Sequence, residues 1–479
     1  MMPLKEYQQD VVIDFENWFN LLNQDQKRVV NVQSDIKKAQ NADLSKEHIE
    51  KLKTEAKLDL PKIWHAFKNN ENETWKERLD HAGNSIPHVC VKVPTGGGKT
   101  RIAAAILQKT RKTRGLVIWM IPTKAIEVQT TNILKDKEHP IRQMLDTHTN
   151  NRVMIVKKDT RISKYDLENN LCIMPLMLQS TNRKKNKDFL KMNRSSGTYV
   201  EFFPPTDDVK KIKKFNKKHP KLDMREGTIT PETSLKNIMR MYKPIIILDE
   251  AHKASAKNFG EWAKYVNELG PSMVIELTAT PNEEYSNTLR TITGKDLLDE
   301  SMIKKSIILA QDAPNWQLTL SNAVKKLQKL EKNTRRQNKY IRPIMVIRVE
   351  LTDPKIYESD TQGNKTHAID AQKYLIETLG IPKNQIAIKS SSTDELKGEN
   401  LMERNSPIRY IITKNALMEG WDCPFAYMLV TLDNLQSQTS LTQLLGRIMR
   451  QPYITYTNDD LLNKCYVCLL YTSSSPRDS

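Results

Sequence analysis

The apolar positions of this chain change their spacing along its length. Residues 3–20 put Val11, Val12, Phe15 and Trp18 on one face at helical spacing, which predicts an amphipathic helix. Residues 24–60 are charged, helix-prone and short of large apolar anchors, which predicts an inserted helical hairpin or surface helix. From 88 onward, short apolar runs of the buried-strand type take over. They predict strands at 88–93, 115–121, 153–156, 171–174, 244–248 and 273–277, with helical stretches between them. A second series predicts strands at 343–347, 385–389, 410–413, 427–432 and 465–471. Strands alternating with helices make parallel α/β structure, so the chain reads as two α/β halves that split near 285–340. Residues 320–341 read as a charged linking helix, and 473–479 as a non-structural tail.

Composition supports that division. A chain of 479 residues exceeds the size at which single cores stop growing, and 38% apolar content supplies two sizeable cores. No apolar run of about 18 residues occurs, so nothing is expected to span a bilayer. The opening MMPLKEYQQD is not a secretory signal, having no cationic region followed by an apolar one. Five cysteines are too sparse for a disulfide framework and fit a cytoplasmic protein.

Charge adds a partner class. The formal net charge is +18. Residues 181–225 carry 14 Lys/Arg against 5 Asp/Glu, a local net of +9. Such a patch suits phosphate backbones, with Lys210, Lys211, Lys213 and Lys214 as candidate contacts. The competing reading is a solvated loop in a lysine-rich protein.

The sharpest chemical signal is Thr95-Gly96-Gly97-Gly98-Lys99-Thr100, between a predicted strand and a predicted helix. Consecutive glycines let backbone N–H groups turn inward around phosphates, and the helix N-terminus adds its dipole. Lys99 would reach the terminal phosphates, and Thr100 would offer its hydroxyl to Mg²⁺. Val93 stands where the strict pattern has glycine. Asp249-Glu250-Ala251-His252 follows the strand at 244–248. An acid at that strand end points into the ligand crevice of a parallel sheet, placing Asp249 to hold Mg²⁺ and Glu250 to orient water. Thr278 and Thr280, at another strand end, could hydrogen-bond Asp249 or His252.

In order, Tyr7-Gln8, PTGGGKT, Pro122-Thr123-Lys124, DEAH and TATP resemble the first motor domain of a superfamily 2 helicase. The resemblance implies that Gln8 reads the adenine, that Pro122, Thr123 and Lys124 contact the nucleic-acid backbone, and that His252 couples the two domains. Residues 415–424 and 440–450 resemble late motifs of the same superfamily. On a helix Gln443, Arg447 and Arg450 share one face, able to present two guanidiniums to a phosphate. Asp422 would contact ribose or support the interdomain site.

Within the superfamily, IPTKAIEVQT, LDEAHKAS, LTATP, EGWDCPFA and SLTQLLGRIMRQPY are most similar to the Res subunit of type III restriction enzymes. That resemblance implies an α/β fold of two RecA-like parallel-sheet domains of the P-loop NTPase kind. The expected boundaries are 1–285 for the ATP-binding domain (insertions at 24–60 and 181–230), 286–341 for a linker, 342–470 for the second domain and 471–479 for a tail. ATP and Mg²⁺ are the implied cofactors, DNA or RNA the polymer, and a methyltransferase subunit a possible partner. The alternatives are an RNA helicase and a nucleotide-gated binding module without turnover. Glu395-Leu-Lys397 has no Pro-Asp pair suitably upstream and reads as a surface helix, so nuclease activity of this chain is not expected. Cys465 and Cys468 read as core residues, since strand alternation sends i and i+3 to opposite faces.

Overall fold

Apolar runs such as Leu116–Ile121 and Ile245–Leu248 satisfy their backbones and bury both faces inside a parallel sheet. A computed structural model describes the chain except residues 1–2, 43–44, 158–159, 178–191, 196, 250–258, 311–314, 350–367, 391–392, 414–420, 422, 433–443 and 470–479. The chain forms two compact units, one mainly from residues up to Ile292 and one mainly from Thr293 onward.

The first unit holds strands β1 (His88–Lys92), β2 (Gly115–Ile121), β3 (Val153–Ile155), β4 (Leu171–Met177), β5 (Ile245–Asp249), β6 (Met273–Thr278) and β7 (Thr288–Thr291). They make one seven-stranded sheet in the order β3-β4-β2-β5-β6-β1-β7. Every pairing in it is parallel. Pro175 is tolerated inside β4 because β3 ends at the row of Ile173, leaving no neighbour to need its missing N–H. The second unit holds β8 (Ser306–Leu309), β9 (Ile344–Arg348), β10 (Ile386–Lys389), β11 (Tyr410–Thr413), β12 (Ala426–Thr431) and β13 (Lys464–Leu469). Their order is β10-β11-β9-β12-β13-β8, again parallel throughout. Two parallel α/β units are the RecA-like arrangement that the motifs imply.

Several expectations change in detail. Helix Glu6–Asn41 runs unbroken through 24–41, where a separate insertion was expected. Its apolar stripe stops at Leu22, so the later turns leave the core and pair with helix Lys46–Glu55 as a hairpin. Arg28 joins the arms, donating to Glu55 O and Lys57 O at 2.5 and 2.7 Å. The expected linker 286–341 carries regular elements among its described residues. It contains β7 in the first sheet and β8 in the second. Helix Trp316–Thr334, expected as a charged link, buries Leu320, Ala323, Val324, Leu327 and Leu330 in the second core. Residues 395–398 form turns rather than a surface helix, held by Glu395 accepting from Ile388 N at 2.6 Å.

Candidate functional site

The register of the first sheet aligns the predicted chemistry on one edge. Lys92 pairs with Thr278, Asp249 with Leu277, and Met120 with Leu248. The segments after β1, β2, β5 and β6 therefore all emerge at the C-terminal ends of adjacent strands, where open parallel sheets bind ligands. Val93 N donates to Thr278 O at 2.8 Å, fixing the start of the glycine loop against the Thr278 strand end. Asp249 and Lys99 are buried, Thr100 is half-buried, and Thr278 is buried.

Gly96 and Gly98 adopt φ of +90° and +78°, a region that L side chains rarely enter. Gly97 N donates to Pro94 O at 3.0 Å, closing the turn. Gly98 caps helix Lys99–Lys109 in a left-handed conformation without a capping side chain. Thr95 and Gly96 precede this cap, so the loop runs straight into a helix N-terminus. That combination suits an anion.

Gln8 is brought to this loop. A Cβ at Gly98 would lie 2.6 Å from Gln8 Nε2. Gln8 is itself buried, its Oε1 accepting from Lys5 N at 3.2 Å and its Nε2 donating to Tyr7 Oη at 3.3 Å. Arg101 donates to Pro3 O at 2.9 Å, tying the helix after the loop to the segment before Gln8. The long stretch between Gln8 and Lys99 loops away as the helical hairpin and leaves this approach intact.

Pro122 is buried, Thr123 caps helix Lys124–Lys135, and exposed Lys124 pairs with Glu127. Thr278 Oγ1 accepts from Thr280 N at 3.3 Å, so the two threonines shape one turn. Glu250, His252, Asp422 and Gln443 lie outside the described residues. On helix Val209–Lys218, Lys210, Lys211, Lys213 and Lys214 are all exposed, while Ile212 is buried. Lys211 pairs with Asp208 at 3.0 Å.

In the second unit the helical face expected for Arg447 and Arg450 does not extend to Arg450. Among the described residues the helix covers 444–448, and Arg450 forms an antiparallel bridge with Ile303. Two causes act together. Residue 451 precedes Pro452, which disfavours helix there. The backbone groups of 449 and 451 are taken by Lys304 N donating to Met449 O at 2.6 Å and Gln451 N donating to Met302 O at 3.1 Å. Arg447 Nη1 donates to Trp421 O. Lys304, which the sequence reading did not single out, lies beneath this segment. As one of two adjacent lysines, it carries no signal that would separate it from surface charge.

Cys465 and Cys468 lie on β13 in the second core, and burial pushes both thiols up to about 11. Such thiols stay protonated and suit packing rather than ligation. Among the described residues no helix is long and apolar enough to cross a membrane.

The family model for the type III restriction enzyme, res subunit, matches residues 2–283. The chain belongs to this family. The Res match covers the glycine loop, Asp249 and the Thr278 turn. No curated protein matches the chain. Among solved structures it is similar to the ATP-dependent Type ISP restriction-modification enzyme LlaBIII bound to DNA, at 14% identity and TM-score 0.42 over 82% of this chain and 27% of that one. It is similar to a fragment of a putative HsdR subunit of a type I restriction enzyme from Vibrio vulnificus YJ016, at 13% identity and TM-score 0.43 over 86% and 62%. It is also similar to S. cerevisiae Dbp5 bound to RNA and ADP BeF3, at 13% identity and TM-score 0.40 over 81% and 80%. This Res-family chain thus spans about a quarter of the LlaBIII chain.

Proposed function

We propose that this Res-family chain is an ATP-driven motor that moves along DNA. The observation that supports it best is the glycine cradle. Gly98 holds positive φ beside buried Gln8, in the unit whose sheet carries Asp249 and Thr278 at its strand ends. In this reading the loop N–H groups and Lys99 grip the phosphates, and Gln8 faces the base. Thr100 and Asp249 are the donor set for a magnesium ion, which would neutralise phosphate charge. A hydroxyl and a carboxylate are the oxygen ligands a hard cation takes. Glu250 orients the attacking water. Arg447 and Arg450 offer guanidiniums to the transferring phosphate, supported by Asp422 and Gln443. Thr278, Thr280 and His252 relay nucleotide state. Pro122, Thr123 and Lys124 hold the DNA backbone, with the 209–218 lysines adding charge. A methyltransferase subunit is the proposed partner, and the cytoplasm the proposed compartment.

Lys99→Ala tests the core of this reading. Its DNA-stimulated ATPase should fall below about a tenth of the parent rate, because the transferring phosphate then lacks its cationic partner. Retention of more than that, in a folded variant, refutes the role of Lys99. Matched DNA and RNA oligonucleotides in the same assay separate a DNA motor from an RNA helicase. Zero turnover of the parent with saturating DNA and RNA would favour a nucleotide-gated clamp.

A further inference from the structure

Lys304 is a fully buried lysine with no carboxylate partner among the described residues, and burial pulls its amine down to about 7. Its Nζ reaches four backbone carbonyls, Arg450 O at 2.6 Å, Ile448 O at 2.7 Å, Ala426 O at 3.1 Å and Pro424 O at 3.2 Å. The Tyr427 ring centroid lies 4.3 Å from the same Nζ. A lysine has three donors, so four acceptors saturate it. Its main-chain N–H also donates to Met449 O, and Ile303 bridges Arg450. These bonds join two separate stretches of the second unit. One is 424–426, three residues beyond Trp421, whose carbonyl accepts from Arg447. The other is 448–450, which carries Arg450.

The placement is costly as packing alone. Taking an ammonium out of water without a counter-ion is unfavourable, and a methionine of similar length would fill the space without that cost. What methionine cannot do is hold four carbonyl oxygens at one point. Buried polar centres of this kind select one backbone arrangement over neighbouring ones. The arrangement selected here is the one that ends the 444–448 helix and turns Arg450 out of it.

We propose that Lys304 is a positioning residue for Arg450. It clamps the carbonyls of the 424–426 and 448–450 stretches so that the Arg450 guanidinium is held ready for the nucleotide phosphate. The proposal rests on the reading of Arg450 as a phosphate-directed arginine. Lys304 touches no nucleotide in this scheme and acts only through the backbone that bears Arg450.

A double-mutant cycle on the full chain tests it, using Lys304→Met, Arg450→Ala and the pair. The readouts are DNA-stimulated ATPase kcat, the Kd for a fluorescent ATP analogue, and thermal melting. Lys304→Met should bind nucleotide within about threefold of the parent yet lose about tenfold in kcat, the split expected when a transition-state interaction is misplaced. The pair should fall no more than about threefold below Arg450→Ala alone, because two residues that act as a unit are not additive. Multiplying effects, or a Lys304→Met kcat within about twofold of the parent, would overturn the proposal. Near-parent kcat in Arg450→Ala would instead refute the underlying reading of Arg450, and the proposal with it. Should Lys304→Met melt below assay temperature, Lys304→Gln, which keeps two amide protons, enters the same cycle. If both melt, Lys304 is a core strut without a positioning role, and the proposal fails.

Discussion

Gly98→Ala offers a quantitative probe of the cradle, because two separable costs meet at one position. Gly98 has φ +78° and ψ 36°, and an alanine held there costs about 1–2 kcal/mol. The new Cβ would also sit 2.6 Å from Gln8 Nε2, so the Gln8 amide has to move. That amide is the end of a flexible side chain, but it is buried and bonded to Lys5 N and Tyr7 Oη. Breaking these hydrogen bonds adds about 1 kcal/mol. Gly98→Ala should therefore destabilise the first unit by about 2–3 kcal/mol, a fall of roughly 5 °C in its melting transition. In a Gln8→Ala background the clash disappears and only the backbone cost of about 1–2 kcal/mol remains. Scanning calorimetry of parent, Gly98→Ala, Gln8→Ala and the pair yields the coupling directly. Equal shifts in both backgrounds would show that the Gln8 amide does not stand against the loop. Nucleotide Kd is the second readout. Gly98→Ala should weaken binding by at least about tenfold, or 1.4 kcal/mol, if the loop N–H groups hold phosphate.

Other expectations follow from the same structure. Neutralising Lys210, Lys211, Lys213 and Lys214 should weaken DNA binding regardless of sequence and lower the slope of log K against log salt by roughly 0.9 for each phosphate no longer neutralised; an unchanged slope would mean that these exposed charges face only solvent. Burial, helped by nearby Arg78, pushes His88 down to about 3 from an ordinary 6.5. The unfolded chain therefore binds the extra proton first, so stability holds above about pH 6.5 and drops by about 1.4 kcal/mol per unit as pH falls toward 3. Urea midpoints of parent and His88→Gln across that range check it, and parallel curves would contradict it. Arg450→Lys should rescue ATPase poorly relative to Arg450→Ala, since a point charge lacks the planar fork, and full rescue would count against a bidentate phosphate interaction.

The central strands of both sheets were legible because their residues are apolar on both faces. Gly115–Ile121 and Tyr410–Thr413 match the predicted runs at both ends. Of the four edge strands, β3 and β10 lie within predicted runs, whereas β7 and β8 were not legible. β7 reads Thr-Leu-Arg-Thr, and β8 leaves Ile308 and Leu309 exposed. A strand paired on one side needs no continuous apolar run, so neither stands out from a loop. Helix Trp316–Thr334 misled for a related reason. Its charges cover the outer face, while Leu320, Leu327 and Leu330 recur at helical spacing and reach the core. Counting charge pointed to a linker; counting period would have pointed to packing.

At the candidate site, legibility depended on whether a role needs a particular side chain or only a particular backbone. The glycine loop was visible because positive φ at Gly96 and Gly98 demands glycine. Asp249 was visible because a carboxylate at a buried strand end has few structural uses. Arg450 stood out as a residue type, but the helix expected to carry it ends before it. Its departure from the helix is decided by Pro452 locally and by Lys304 far away in sequence, through main-chain carbonyls that any residue supplies. A side chain that binds carbonyls constrains the identity of none of its partners, so no motif forms around it. Lys304 therefore has the same sequence appearance as Lys305, which carries a solvent-exposed ammonium 3.8 Å from Asp460. Only the burial of Nζ among four oxygens separates a positioning lysine from a surface one, and burial is set by the fold of the whole second unit.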